Sequence, residues 1–239
     1  SIGVCDVNGD GRKDLIVGAT GLDDITVTPN VADQGGLFVH LGYEDGFLAV
    51  ADQRILARTP DGGGGTRYTT TPRFGHLVAT GDFNGDGLCD VATAGLSYAF
   101  NSARTADGGV AIYSGRRPDA LSPGGLEPLA ARFITASAEL DPDSNFGRVI
   151  ASADVDADGF TDLLVGQPNH ELIPGRSENH GAARLYRGGP FPPPGTVEAA
   201  EVADWTYEHN GSSDNAGFWV SFGEATGDGH PDVLVGVWR

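Results

Sequence analysis

The sequence predicts an all-β fold assembled from repeated four-stranded units. Three observations predict it. A nine-residue segment with fixed acidic spacing recurs four times, and an apolar, strand-like run follows each copy at once. In addition, 37 Gly and 14 Pro among 239 residues punctuate the chain too often for long helices.

The four segments are Asp6 to Asp14, Asp82 to Asp90, Asp154 to Asp162 and Glu224 to Asp232. Their first residues lie 76, 72 and 70 positions apart. Acidic or polar residues stand at positions 1, 3, 5 and 9 of each, and Gly stands at position 6. Such spacing, kept four times, is an internal repeat, and repeats of this length mark arrays or propellers.

Each element of the unit then follows in order. Eight residues before the loop stands Phe74-Gly75 in the second copy and Phe146-Gly147 in the third, replaced by Ala216-Gly217 in the fourth. After the loop come Leu15-Ile16-Val17-Gly18, Val91-Ala92-Thr93-Ala94, Leu163-Leu164-Val165-Gly166 and Val233-Leu234-Val235-Gly236. A Gly-led alternating segment comes next, at Gly36 to Leu41, Gly109 to Tyr113 and Gly181 to Tyr186. A fourth, more polar alternation runs from Ala130 to Thr135 and from Val202 to Glu208. Four short strands per unit are the composition of a propeller blade. The units are placed at about residues 1–65, 66–137, 138–210 and 211–239, the first and last partial, in a single domain over 1–239.

Phe-Gly, an Asp-x-Asn/Asp-x-Asp-Gly-x-x-Asp loop and a Val-Gly strand resemble the FG-GAP repeat, the blade of integrin α-subunit propellers and many bacterial relatives. The resemblance covers essentially the whole chain. It implies a calcium-binding β-propeller, commonly of seven blades and usually extracellular, secreted or on the cell surface. Three full units and a fourth of two strands do not make a simple closed ring. An incomplete or trimmed propeller is therefore expected, its open ends pairing with a missing chain segment or a second copy. With no Met and an opening Ser1-Ile2, the sequence is likewise expected to be a mature or trimmed segment.

Charge bounds the partners. The chain carries 33 Asp and Glu against 15 Lys and Arg, a formal net charge of −18. That excludes a nucleic-acid binder, which neutralises phosphates with basic residues, and opposes docking on an anionic bilayer. No apolar run is long enough for a membrane-spanning helix, so no membrane insertion is expected. Hydrophobic residues make up 39 %, enough to form a core. Cys5 and Cys89 are too few for a disulfide scaffold. They form one bridge or remain two buried thiols, since their separation in space is not set by sequence.

The loop chemistry follows from its spacing. Carboxylate and amide oxygens two residues apart on a tight loop converge on one hard cation, with a backbone carbonyl at position 7. No Cys or His side chain serves as a ligand, which disfavours zinc and softer metals. Magnesium demands stricter octahedral geometry and retains water, so a multidentate protein cage favours Ca2+. Site one uses Asp6, Asn8, Asp10, the Arg12 carbonyl and Asp14. Site two uses Asp82, Asn84, Asp86, the Leu88 carbonyl and Asp90. Site three uses Asp154, Asp156, Asp158, the Phe160 carbonyl and Asp162, and its four carboxylates predict the tightest binding. Site four, with Glu224, Thr226, Asp228, the His230 carbonyl and Asp232, is weaker because its first ligand is long and its third is a neutral hydroxyl. A repeat once per blade points to structural metal, not catalytic metal, which needs an open coordination position and nearby acid–base groups.

Enzyme motifs are absent: there is no Gly-x-Ser-x-Gly, Walker loop, His-Glu-x-x-His or dinucleotide fingerprint. The six histidines are dispersed, and His76 next to Phe74-Gly75 reads as structural before it reads as a channel residue. Asp23-Asp24 and Asp141 with Asp143 read as solvated turns before a glycosidase pair. Trp205, Trp219, Trp238, Tyr68, Tyr98 and Tyr207 are expected in blade cores before a saccharide face. Inter-strand stretches such as 59–73, 97–107 and 168–180 are where a propeller carries a partner site. Asn210-Gly211-Ser212 is a glycosylation sequon. The expectation is an extracellular interaction or adhesion module for protein or carbohydrate. The alternative is the propeller portion of a secreted polysaccharide-active enzyme, a lyase or hydrolase.

Overall fold

The computed structural model describes residues 1–23, 35–56, 59–60, 66–67, 73–95, 108–136, 144–172, 178–193, 196–211 and 213–238. Its first sheet joins Ile2–Cys5, Asp14–Ala19, Gly36–His40 and Gln53–Leu56 as antiparallel neighbours in chain order. The second repeats this with Leu77–Gly81, Asp90–Gly95, Gly109–Tyr113 and Arg132–Thr135. The third uses Val149–Ala153, Asp162–Gln167, Ala182–Tyr186 and Trp205–Glu208. A final pair, Trp219–Gly223 and Asp232–Gly236, starts a fourth. First strands of consecutive sheets pack against one another, so the sheets are arrayed side by side around a common axis. This is the expected all-β, propeller-type arrangement.

Burial follows from that array. The middle sheet is covered on both faces. Val91, Ala111, Tyr113 and Phe133 join Ile16, Leu37 and Val39 in one core toward the first sheet. Ala92, Val110, Ile112 and Ile134 join Ile150, Leu163 and Tyr186 in another toward the third. Strands buried on both faces read as continuous apolar runs, as these do.

The Phe-Gly and strand-ending Gly signals have one shared cause. Phe74 and Phe146 are fully buried and bridge in parallel to Gly35 and Gly108, at the entry to the preceding sheet's third strand. Ala216 is equally buried and bridges Gly181 in the same way. The following Gly75 has φ +88°, and its carbonyl lies 2.2 Å from where a Cβ on Gly18 would stand. Gly217 meets Gly166 in the same way, at 2.1 Å. Backbone meets backbone between neighbouring blades, and a side chain would not fit.

Besides three two-stranded hairpins (Gly42–Tyr43 with Gly46–Phe47, Thr59–Pro60 with Thr66–Arg67, Gly115–Arg116 with Gly125–Leu126), the sequence tally of strands misses one further feature. Between the third and fourth strands of the third sheet, Val197–Ala199 leaves to run parallel to Arg132–Thr135 of the second. Arg132 Nε and Nη2 donate to the two Glu198 oxygens at 3.0 and 2.9 Å, and the Tyr186 hydroxyl donates to Ala200 O at 2.7 Å. A bidentate pair and a buried hydroxyl bond hold this fifth strand, which closes an edge that would otherwise stay open.

Candidate metal centres

Each nonapeptide connects the first two strands of a blade, so all four loops lie at the same end of the array. In the first loop, Asp6 accepts the amides of Gly9 (2.7 Å), Asp10 (3.2 Å) and Gly11 (2.8 Å). In the second, Asp82 accepts those of Gly85 (2.7 Å), Asp86 (3.1 Å) and Gly87 (2.9 Å). Asp154 of the third accepts Asp158 and Gly159 at 3.1 and 3.0 Å. The fifth-position carboxylates cap the seventh residue: Arg12, Leu88, Phe160 and His230 donate their amides to Asp10, Asp86, Asp158 and Asp228 at 2.8, 2.8, 2.9 and 2.9 Å. Position 6 takes the left-handed conformation in every copy, at φ +80° to +93° for Gly11, Gly87, Gly159 and Gly229, which explains the repeated glycine.

The ninth residue ties the loop to the sheet. Asp14 accepts Val7 N and Gly42 N, each at 2.8 Å. Asp90 accepts Phe83 N and Gly115 N at 3.0 Å, and Asp162 accepts Val155 N and Gly188 N at 2.9 Å. All three carboxylates are fully buried. Burial pushes Asp90 up to about 7, against the lowering effect of its two amide donors, and raises Asp14 and Asp162 for the same reason. Asp232 differs: it is not buried, and the Ala225 amide at 2.7 Å is the main cause that lowers its pKa. Among the described residues no third strand covers the fourth loop, and here desolvation raises the carboxyl less than the Ala225 amide lowers it.

Sequence reading missed the donors Gly42, Gly115 and Gly188, although each stands two residues beyond a third strand, as in His40-Leu41-Gly42 and Tyr186-Arg187-Gly188. A Cβ would approach the eighth-position carbonyl of the loop to 2.4 Å from Gly42 and 2.7 Å from both Gly115 and Gly188. The recurring glycine was legible in sequence as a further repeat signal, but the close approach that requires it was not.

Neighbouring loops are also bonded to each other. Cys89 N donates to Asp6 O at 3.1 Å, and Thr161 N donates to Asp82 O at 2.8 Å. Cys5 and Cys89 form a disulfide at this junction, with Cα atoms 6.1 Å apart, which settles the alternative left open by sequence. The eighth residue of the fourth loop is Pro231, which has no amide to continue the series.

Among the described residues, three predicted carboxylates come together on the third loop alone, and Asp158 is not among them. In the third, oxygens of Asp154, Asp156 and Asp162 lie within 4.8 Å of one another, close enough to share one ion. Hard carboxylate oxygens at this separation fit a cation such as Ca2+.

Other candidates fare differently. Trp205, Trp219 and Trp238 are 41 %, 67 % and 61 % exposed, which corrects the expectation that they fill blade cores. Trp205 and Tyr207 stack on the third sheet's outermost strand, and Trp219 lies on the face of the last strand pair turned away from the third sheet. Among the described residues, no neighbouring strand covers these faces as their counterparts are covered. His76 is half-buried, and burial, Arg148 and the N-terminal amine lower its pKa. Tyr68, Tyr98, Asp24, Asp141, Asp143, Ser212 and most of 59–73 and 97–107 lie outside the described residues. Among the described residues, no helix is long and apolar enough to cross a membrane.

Side-by-side four-stranded sheets with an acidic loop between the first two strands define a repeat protein of the β-propeller class. The chain carries FG-GAP repeats: the FG-GAP repeat family model matches residues 1–40 and 146–176. Human phosphatidylinositol-glycan-specific phospholipase D is 29 % identical over 242 residues, which cover 98 % of this chain and 26 % of the relative. Mouse integrin alpha-IIb is 33 % identical over 168 residues, 70 % of this chain and 14 % of the integrin. Integrin alpha-PS3 of Drosophila melanogaster is 31 % identical over 175 residues, 70 % of this chain and 13 % of that protein. The chain thus spans about a quarter, or less, of the length of these relatives.

Proposed function

We propose that this chain is a calcium-stabilised FG-GAP propeller domain that acts outside the cell as an interaction or adhesion module for protein or carbohydrate. The observation that carries the reading is the loop series: four acidic nonapeptides at one end, with three carboxylates of the third within 4.8 Å. Calcium, held by the residues predicted from sequence, supplies a multivalent tie between the first two strands of each blade. This chain's own residues do the rest. Asp14, Asp90 and Asp162 fix the loop to the third strand, and the first-position carboxylates order the turn.

The integrin relatives support a protein partner, and the disulfide supports an oxidising, extracellular setting. The exposed Trp205, Trp219 and Trp238 supply flat faces for a sugar ring or for a further blade from a longer chain or a second copy. Excess chelator is expected to lower the melting temperature markedly, and added Ca2+ to restore it. An unchanged melting curve would sink the metal reading.

A second reading has one observation in its favour: the phospholipase D relative matches 98 % of the chain. Under it, the chain is the propeller portion of a secreted enzyme. Purified chain is expected to show no turnover of polysaccharides or of phosphatidylinositol-glycan. Turnover by this chain alone would overturn the non-enzymatic reading.

A further inference from the structure

The third loop differs from the first two in drawing a counter-charge from beyond its own nonapeptide, whereas in the first Arg12 Nη1 of the loop itself stands 3.6 Å from Asp10 Oδ2. In the first two, position 3 is an amide, and the Nδ2 groups of Asn8 and Asn84 donate to Asp10 and Asp86 at 3.5 and 3.0 Å. Asp156 takes this place in the third loop, adding a carboxylate and removing the donor. Arg187 Nη1 stands 3.1 Å from Asp156 Oδ2. The backbone carrying Arg187 is held on both sides: Arg187 N donates to Asp204 at 2.7 Å, and Gly188 N donates to Asp162 at 2.9 Å. Leu41 and Ser114 occupy the corresponding position in the other blades, and neither is charged.

We infer that Arg187 is a built-in counter-charge that holds the calcium affinity of the third loop below the value its four carboxylates would give. The inference rests on the calcium reading above. Asp156 belongs to the trio that can share an ion, so a guanidinium on its Oδ2 competes for a ligand oxygen and repels an incoming divalent cation. With Arg187, the third loop carries the same net charge as three carboxylates. The Arg187 side chain is 57 % exposed, so the effect is moderate and weakens with salt.

Calcium titration of the 15N-labelled chain reads the loops separately, because the amides of Gly159 and Phe160 report the third and those of Gly87 and Leu88 the second. Arg187→Gln and Arg187→Met are each expected to move the third-loop midpoint to about 3- to 10-fold lower Ca2+ and leave the second unchanged. Arg187→Lys is expected to stay close to wild type. The gap is expected to narrow at high ionic strength and to shrink when Asp156→Asn is combined with Arg187→Gln. An unmoved or higher third-loop midpoint in both neutral variants overturns the role of Arg187 while leaving calcium binding intact. If Gly159 and Phe160 do not respond to Ca2+ in wild type, calcium binding at this loop fails, and the inference fails with it.

Discussion

The carboxylate of Asp90 accepts the amide of Gly115 at 3.0 Å, pinning the acidic loop of the second blade to the end of that blade's third strand. Glycine is required there for a reason of space. A Cβ at position 115 would lie 2.7 Å from both Cys89 O and Val7 O, inside a junction of two blades. Gly115→Ala is expected to destabilise the protein by about 1–3 kcal/mol, because backbone must shift to admit the methyl. Urea unfolding checks this, and an unchanged midpoint would show that the junction yields freely.

Asp90 also sets a pH dependence. Its folded pKa is raised from 3.8 to about 7, with burial the largest cause, so the folded state holds a proton that the unfolded state releases near 3.8. The stabilising contribution is full below the lower value and is lost as pH rises through about 7. In chelator, stability is therefore expected to fall as pH rises from 3.8 to about 7, and Asp90→Asn to flatten that slope. Saturating Ca2+ should flatten it too, since a bound cation favours the ionised carboxylate. Melting curves across this range check the sign. A chelated wild type whose slope matches that of Asp90→Asn would contradict it.

The Cys5–Cys89 bridge closes a chain segment with a sequence separation of 84 and spans two blades. Long closed loops restrict the unfolded chain most, so replacing both cysteines by serine is expected to cost about 2–4 kcal/mol. Denaturant midpoints with and without reductant give the number directly. Equal midpoints would mean that the inter-loop bond from Cys89 N to Asp6 O already suffices.

Arg132 holds the added parallel strand through both Glu198 oxygens, and both side chains are mostly buried. Arg132→Ala is expected to release Val197–Ala199 locally, with a stability loss of about 1–3 kcal/mol from the unpaired carboxylate. Hydrogen exchange should accelerate in that strand while Gly109–Tyr113 stays protected. Uniform acceleration across the sheet would show that the strand is not a separate unit.

Much of the loop architecture was legible because it repeats. Spacing at positions 1, 3, 5 and 9 identified Asp6, Asp82 and Asp154, and each organises its own loop through local hydrogen bonds. Position 6 was legible from Gly11, Gly87 and Gly159, since a left-handed residue leaves its mark in the residue type. The donors Gly42, Gly115 and Gly188 were present as a repeat but carried no chemistry a sequence could show. Their role exists only where a third strand meets a loop 25 to 28 residues earlier in the chain.

The tryptophans mark the other limit. Aromatic residues in strand-like segments read as core, and Tyr113, Phe133 and Tyr186 are core. Trp205, Trp219 and Trp238 have the same local character and are exposed. What separates the two groups is whether a neighbouring blade covers that face, which is a property of the array and not of the strand.

The sequence by itself determined the all-β class, the four-strand unit, the order of its parts and the acidic positions of each loop. Those properties come from strand periodicity, turn chemistry and contacts within a few residues. Only the tertiary structure decided the Cys5–Cys89 bridge, the strand lent by the third blade to the second, the partner of Asp156 and the exposed tryptophan faces. Each of these depends on how two blades or two distant segments meet, and local sequence does not encode a distance between them.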